Sequence, residues 1–311
     1  MKKTQGAEMT KRKKGEDVHG WLIIDKPVGM GSTDVVNLTR KLFNANKNGH
    51  TGTLDPFATG VLPIAFGEAT KLIPQVTDGI KEYEFVLCFG AETSSGDTES
   101  EIINTCDKIP SKEEILNIIP QFIGEIKQIP PAYSAIKING QRAYDLVRKG
   151  KEVEIPERIV KIYDLQLLEM LSENKAKFKV QCSKGTYVRT LGADLAKKTG
   201  SLGYLEELRR TKCGVFSIDD TILLEKLKNI VHSDGRKEFL LPLLTSLRDI
   251  AVIAVSEAEA EKLKQGQSLS PKNYDVSRLI NMEVAAVCED KLAAIVRIDE
   301  RRIAPVRVFN Y

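Results

Sequence analysis

GHTGTLDPFATG, residues 49–60, is the stretch on which the reading of this chain turns. Three glycines, one proline and small hydroxyl residues make it a loop rather than a helix or strand. Glycine lets a backbone approach a ligand closely. Asp55 precedes Pro56, which holds its backbone extended and so aims its carboxylate. An isolated Asp-Pro pair is ordinarily a turn and nothing more. Here it lies between two ordered segments. Upstream, Trp21–Ile24 reads as a short buried strand. Ser32-Thr-Asp34 then offers helix caps before Val35–Phe43, whose apolar residues fall at helical spacing. Downstream, Tyr83, Phe85, Leu87 and Phe89 alternate on one face of a strand.

A second stretch, SKGTYVRT (183–190), has Thr186 placed to cap a helix running to Lys198. Tyr187 and Arg189 then fall in its first turn. An arginine there can grip a carboxylate through two parallel hydrogen bonds. On its own it reads as a surface ion pair. Tyr83 on its own reads as half-buried packing.

The remaining segments mix strands and helices without a regular strand–helix–strand repeat. Ser111-x-x-Glu114 is a capping box for a helix that Pro120 must distort or end. Gln141–Lys149 reads as a helix closed by Gly150. Arg158–Met170 and Lys175–Cys182 read as strands. Residues 222–248 form a helix-rich polar connector. In the last sixty residues, Ala251–Val255 is a strand and Ser256-x-x-Glu259 caps a short helix ended by Gly266. Glu283–Cys288 and Leu292–Ile298 form a hairpin, and Val306–Phe309 is a final strand. The class is α+β, with a mixed, mostly antiparallel sheet and a small β-rich domain at the end. The expected divisions are a basic, disordered tail at 1–17, a main domain at 18–248 and a small domain at 249–311.

The composition excludes several classes. With 311 residues, 42% hydrophobic and 29% charged, the chain is an ordinary globular one of about two domains. Apolar runs such as Ala251–Val255 fall far short of the ~20 residues that span a bilayer. The N-terminus is basic and lacks the apolar core of a secretory signal, which points to the cytoplasm. Five widely spaced cysteines with no C-x-x-C support neither a disulfide framework nor a zinc site. With three histidines there is no metalloprotease motif, and no P-loop or nucleophile elbow occurs either. Gly29-Met-Gly31-Ser-Thr-Asp34 starts like a dinucleotide fingerprint but has Asp where the third glycine belongs. No cofactor and no metal is expected. Net charge is only +3, but it is unevenly spread. Glu92–Asp107 holds five acidic residues and no basic one. Gln181–Phe216 holds seven basic residues against three acidic, a candidate polyanion-binding surface.

These residues resemble a known family. GHTGTLDPFATGVLP (49–63), preceded by GWLIIDKPVGMGS (20–32), is similar to the catalytic region of the bacterial tRNA pseudouridine-55 synthases, the TruB family. The likeness continues through KEYEF (81–85), IPPAYSAIKINGQRAYDLVRKG (129–150), CSKGTYVRTLGADL (182–195) and LRR (208–210). The final β-rich segment resembles the RNA-binding PUA-like domain of that family. The resemblance implies a pseudouridine synthase fold acting on the T-loop uridine at tRNA position 55. It implies Asp55 as the essential aspartate and Tyr83 as the tyrosine stacked on the target base. Arg189 matches the basic residue that pairs with the aspartate. Tyr187 and Leu208 match positions lining the base pocket, and His50 a histidine beside the extruded nucleotide. The implied partner is the tRNA T-arm, bound by a cytoplasmic monomer, with no DNA and no membrane involved.

The implied reaction detaches uracil from C1′, rotates it and reattaches it through C5, with no outside atom gained. Breaking the N-glycosidic bond needs a carboxylate beside the sugar, as nucleophile or as base at C2′; the sequence leaves both open. Three other readings remain: an RNA-binding or RNA-folding protein without catalysis, a nucleosidase or glycosidase for small substrates, and a synthase for another RNA uridine. The nucleosidase reading lacks a second aimed carboxylate in the sequence.

Overall fold

Trp21 to Ile24 lie in β1 (Gly20–Lys26), a strand buried on both faces. Leu22 and Ile24 face one apolar cluster, and Trp21 and Ile23 face another. Side chains alternate along a strand, so a strand covered on both sides carries a continuous apolar run. The computed structural model describes residues 15–131, 137–138, 141–142 and 155–311. The following strands are β2 (Asn48–His50), β3 (Thr59–Phe66), β4 (Lys81–Phe89), β5 (Ala91–Thr93), β6 (Ile102–Thr105) and β7 (Gly124–Gln128). Then come β8 (Lys137–Ile138), β9 (Gln141–Arg142), β10 (Arg158–Ser172), β11 (Lys175–Cys182), β12 (Gly203–Cys213), β13 (Phe216–Ser217) and β14 (Ile222–Leu223). The C-terminal strands are β15 (Val252–Ala254), β16 (Glu283–Cys288), β17 (Lys291–Ile298) and β18 (Ile303–Val308).

The large sheet runs β14-β1-β3-β12-β4-β11-β10-β7, with β2 added on β3 and β13 on β12. Its pairs are antiparallel except β1 with β14 and β3 with β12. The small sheet runs β15-β16-β17-β18. The expected mixed, mostly antiparallel α+β architecture is what forms. The second apolar cluster joins the sheets: Trp21 and Phe216 from the large one meet Ala285, Leu292 and Ile295 from the small one. Phe309, just past β18, completes that seam.

The main helices lie over the first cluster. They are α1 (Ser32–Leu42), α2 (Ile73–Asp78, which instead sets Ile73 and Val76 in the second cluster), α3 (Lys112–Ile118) and α4 (Val188–Lys198). The capping boxes at Ser111/Glu114 and Ser256/Glu259 both form. Pro120 sits in a 3-10 turn, Ile119–Phe122, that ends α3.

Several boundaries differ from the sequence expectation. Helix α1 begins at Ser32 rather than Val35, with Gly31 as its cap. Asp34 accepts from the Gly31 N–H at 3.1 Å, so it serves the first turn from inside the helix. The loop is shorter than 49–60, because β2 takes Gly49 and His50 and β3 begins at Thr59. The last strand begins at Ile303 rather than Val306. Pro305 is accommodated inside this edge strand, where register shifts between Ile295 and Val296. Connector 222–248 is less polar than it reads: Leu224, Leu227, Leu243 and Leu247 are all buried. The helix expected at Gln141–Lys149 lies outside the described residues, except that Gln141 and Arg142 pair as strand with Lys137 and Ile138. The tail at 1–14 is likewise outside them.

Candidate active site

The Asp55 loop leaves β2 at His50 and enters β3 at Thr59. Its conformation is fixed from three sides. Ser32 Oγ donates to the Leu54 carbonyl and accepts from the Leu54 N–H, both at 2.8 Å. Gly29 N–H donates to the Pro56 carbonyl at 2.8 Å. Lys26, fully buried at the end of β1, donates its ammonium to the carbonyls of Met30 (2.6 Å), Pro27 (2.9 Å) and Pro56 (3.1 Å). Asp55 therefore stands between two clamped residues. The glycines at 29–31, which resemble a nucleotide fingerprint, serve here as the turn that delivers these contacts. Burial brings the Lys26 ammonium down to about 8, with Asp55 pulling the other way. Lys26→Met is expected to lower stability by about 1–3 kcal/mol: three carbonyls lose a charged donor, offset by removal of a buried charge. The check is a thermal melt; an unchanged Tm would mean the loop holds its shape without this clamp.

Arg189 is the second residue of α4. It is 4% exposed and lies between two carboxylates. Nη2 is 2.9 Å from Asp55 Oδ2, and Nη1 is 3.2 Å from Asp97 Oδ2. Nη1 also donates to the Ser95 carbonyl at 2.8 Å. Asp97 is fully buried and is held in turn by the Ser95 hydroxyl and by the Glu99 N–H at 2.9 Å. Burial pushes the Asp55 carboxyl above the usual carboxylate range; Arg189 opposes that and Asp97 adds to it. The pair thus exists, but Arg189 does not cancel the effect of burial.

The helix starts one residue later than expected. Tyr187, not Thr186, is the cap of α4, and Thr186 donates its hydroxyl to the Ser183 carbonyl at 3.0 Å. Tyr187 is pinned by Gln128, a buried residue on β7. Its N–H donates to Gln128 Oε1 at 3.1 Å, and Gln128 Nε2 donates back to its carbonyl at 3.3 Å. Arg158 sits 5.6 Å over its ring.

These groups surround a cavity of about 280 Å³, at the small end of ligand pockets. Asp55, Tyr83, Tyr187, Arg189 and Leu208 all line it. Tyr83 projects from β4 and Leu208 from the adjacent β12, where Tyr83 stands opposite Arg210 and Leu208 opposite Phe85. Burial pushes the Tyr83 phenol up to about 12, against the nearby Arg210. His50 is paired with Ile64 at the end of β2 and stands outside the cavity wall, which begins at Gly52.

Sequence reading missed Lys26, Asp97, Gln128 and Arg210. Asp97 lay inside the acidic run at 92–107, where its Ser95-x-Asp97-x-Glu99 spacing was the available signal. The basic stretch 181–216 does not form one surface. Arg189 and Arg210 are buried, Arg209 grips Asp25 through both Nη atoms at 3.1 and 2.7 Å, and Lys184 pairs with Asp78 at 2.8 Å. Lys197, Lys198 and Lys212 remain exposed. Among the described residues no group of three or more His, Cys, Asp or Glu could hold a metal ion. None of their helices is long and apolar enough to cross a membrane.

The architecture matches that of solved RNA-protein and protein complexes. A Cbf5-Nop10-Gar1 complex superposes with a TM-score of 0.71 at 23% identity, over 94% of this chain and 84% of the other. An H/ACA RNP bound to a substrate RNA containing 2′-deoxyuridine gives 0.70 at 20% identity, over 96% and 93%. The fold is thus shared with these complexes: α+β, with a large mixed sheet and a small C-terminal β sheet. Residues 40–188 match the family described as TruB family pseudouridylate synthase (N terminal domain). The chain is 43% identical to tRNA pseudouridine synthase B of Caulobacter vibrioides over 97% of its length and 99% of the relative's. It is also 43% identical to the enzyme of that name from Rhodospirillum rubrum, over 97% and 100%. The chain belongs to the TruB family of pseudouridylate synthases, which are isomerases.

Proposed function

We propose that the cavity isomerises the T-loop uridine of tRNA, nucleotide position 55, to pseudouridine. The observation that carries this reading is the Asp55–Arg189 pair set in a small cavity whose other walls, Tyr83, Tyr187 and Leu208, suit a flat ring. The tRNA itself comes from the names of the relatives.

A uridine stacked in a folded loop must be flipped out, at a cost of a few kcal/mol. Stacking on Tyr83 returns about 1–3 kcal/mol of that. The sugar then lies over Asp55. The bond from N1 to C1′ breaks with the assistance of the Asp55 carboxylate, acting at C1′ or C2′. The freed uracil turns within the cavity, C5 bonds to C1′, and the C5 proton leaves while N1 gains one. Atoms balance without a co-reactant. Arg189 fixes the direction of the carboxylate, since a guanidinium held by Asp97 and Ser95 cannot rotate away. His50 stands beside the path of the extruded nucleotide rather than against its base.

The small C-terminal sheet, residues 249–311, serves as a PUA-like unit holding the RNA, and residues 18–248 as the catalytic unit. In this reading the enzyme acts as a monomer on tRNA in the cytoplasm.

Asp55 must be ionised to act, and its burial raises the pH at which it protonates. As pH falls through that raised value, activity is lost. The acid limb of kcat/KM is therefore expected above the ordinary aspartate value of about 3.9. A limb at the ordinary value would contradict the burial effect. The substrate is tested by incubating whole tRNA transcripts, an isolated T-arm stem-loop and an unrelated stem-loop, then mapping pseudouridine. Conversion confined to the T-loop uridine supports the reading. Conversion only in the unrelated RNA would overturn it.

A further inference from the structure

Arg210 is the largest polar side chain in the cavity wall to which the reaction above gives no task. It projects from β12, is 1% exposed, and lines the same cavity as Asp55 and Tyr83. Its place is tightly built. Nε donates to the Val61 carbonyl at 2.8 Å. Gly60, at φ +99°, brings β3 against the Arg210 backbone, where any Cβ would collide. Gly52, at φ +58°, lies over the guanidinium, and a Cβ there would be 3.1 Å from Nη1. The Tyr83 phenol, opposite it in the sheet, shares a side-chain hydrogen bond with the guanidinium, and the other ionisable groups acting on it most strongly are Cys213 and Cys182; none of the three is a carboxylate. Yet Nη2 is buried and has no hydrogen-bond partner among the described residues. A buried, charged donor without an acceptor is costly, and such groups mark sites whose partner arrives from outside.

We propose that Arg210 reads the base, its Nη2 donating a hydrogen bond to the ring carbonyl opposite the glycosidic atom of the flipped-out uracil. This rests on the functional reading above. Depth orients the ring. The Asp55 side chain is 34% exposed and Arg210 is sealed, so the sugar stays at Asp55 while the far edge of the base reaches Arg210.

Ring symmetry supplies the specificity. In uridine the glycosidic atom is N1, and the position across the ring is C4, which carries the O4 carbonyl. In pseudouridine the glycosidic atom is C5, and the position across is C2, which carries the O2 carbonyl. The turn that exchanges N1 with C5 also exchanges C4 with C2. One fixed donor therefore meets a carbonyl before and after the reaction and resists neither end of it. Cytidine presents a 4-amino group at that position, a donor facing a donor. Uncompensated buried donors reject a mismatched ring strongly, so Arg210 selects uridine over cytidine.

The test measures binding of the full chain to three T-arm stem-loops, carrying uridine, pseudouridine or cytidine at the target position. Asp55→Asn in every sample prevents turnover. With Arg210 intact, the uridine and pseudouridine loops should bind within about twofold of each other and the cytidine loop about tenfold or more weakly. Arg210→Gln places both an amide donor and an amide oxygen in the pocket, and the oxygen accepts from the 4-amino group. The uridine-to-cytidine ratio should then fall below about threefold. A purely structural role would weaken all three RNAs alike and leave the ratio untouched. Equal binding of cytidine with Arg210 intact overturns the proposal even if Arg210→Gln fails to fold; so does a preserved ratio in a folded Arg210→Gln protein. Pseudouridine formation by the unsubstituted chain is measured alongside. Formation without discrimination sinks this proposal alone, whereas no formation sinks the functional reading beneath it.

Discussion

Asp55→Asn is expected to lower pseudouridine formation by about 10⁴-fold or more while RNA affinity changes by less than about threefold. The substitution keeps the shape of the side chain and removes the charge that acts on the sugar; losing an essential reacting group costs factors of this size. The fold should survive because Arg189 keeps Asp97 and the Ser95 carbonyl as partners. Burial already disfavours the Asp55 charge, so the neutral amide should leave Tm unchanged or raise it. The check pairs a single-turnover assay with a melt and a binding titration. Substantial turnover in a folded variant would remove Asp55 from the chemistry.

The second large effect concerns Arg189→Lys. Charge is conserved, but an ammonium cannot reach two carboxylates and a carbonyl at once as the planar fork does. The activity loss should be about 10²–10³-fold, appearing in kcat more than in KM, because the misdirected group is the reacting carboxylate and not the ring wall. Stability should also suffer. Asp97 is fully buried, and a buried charge that loses its partner costs about 3–5 kcal/mol. The two effects separate in the double variant Arg189→Lys/Asp97→Asn. Removing the stranded charge should restore most of the Tm and none of the activity. If activity returned with Tm, Arg189 would be a structural brace and not the group that directs Asp55.

Local chemistry made the elements that carry the site legible in the sequence, and the family resemblance marked which of their residues form it. Glycine and proline spacing marked the Asp55 loop, and alternation put Tyr83 on the same strand face as Phe85 and Leu87. Two capping boxes fixed helix starts at Lys112 and Glu257. The residues that escaped were brought in by distant contacts. Lys26 meets Pro56 across thirty positions, and Asp97 meets Arg189 from a distant part of the chain. Only the Ser95-x-Asp97-x-Glu99 spacing sets Asp97 apart from its acidic neighbours, and nothing marks it as a partner of Arg189 until α4 brings that side chain to it. Arg209 and Arg210 illustrate the same limit. Neighbours on a strand point to opposite faces; one grips Asp25 of β1 and the other is buried in the cavity wall. Only the register of β12 against β3 and β4 decides which is which. Counting charges between 181 and 216 therefore overstated the basic surface, since part of that charge points inward.

The most direct measurement is tritium release from a T-arm stem-loop labelled at C5 of the target uridine, with enzyme in excess. Bonding C5 to C1′ expels the C5 hydrogen, so one tritium should appear in water for each RNA bound, and none with Asp55→Asn. Tight binding by the unsubstituted chain with no tritium released would contradict isomerisation in this cavity and leave an RNA-holding protein.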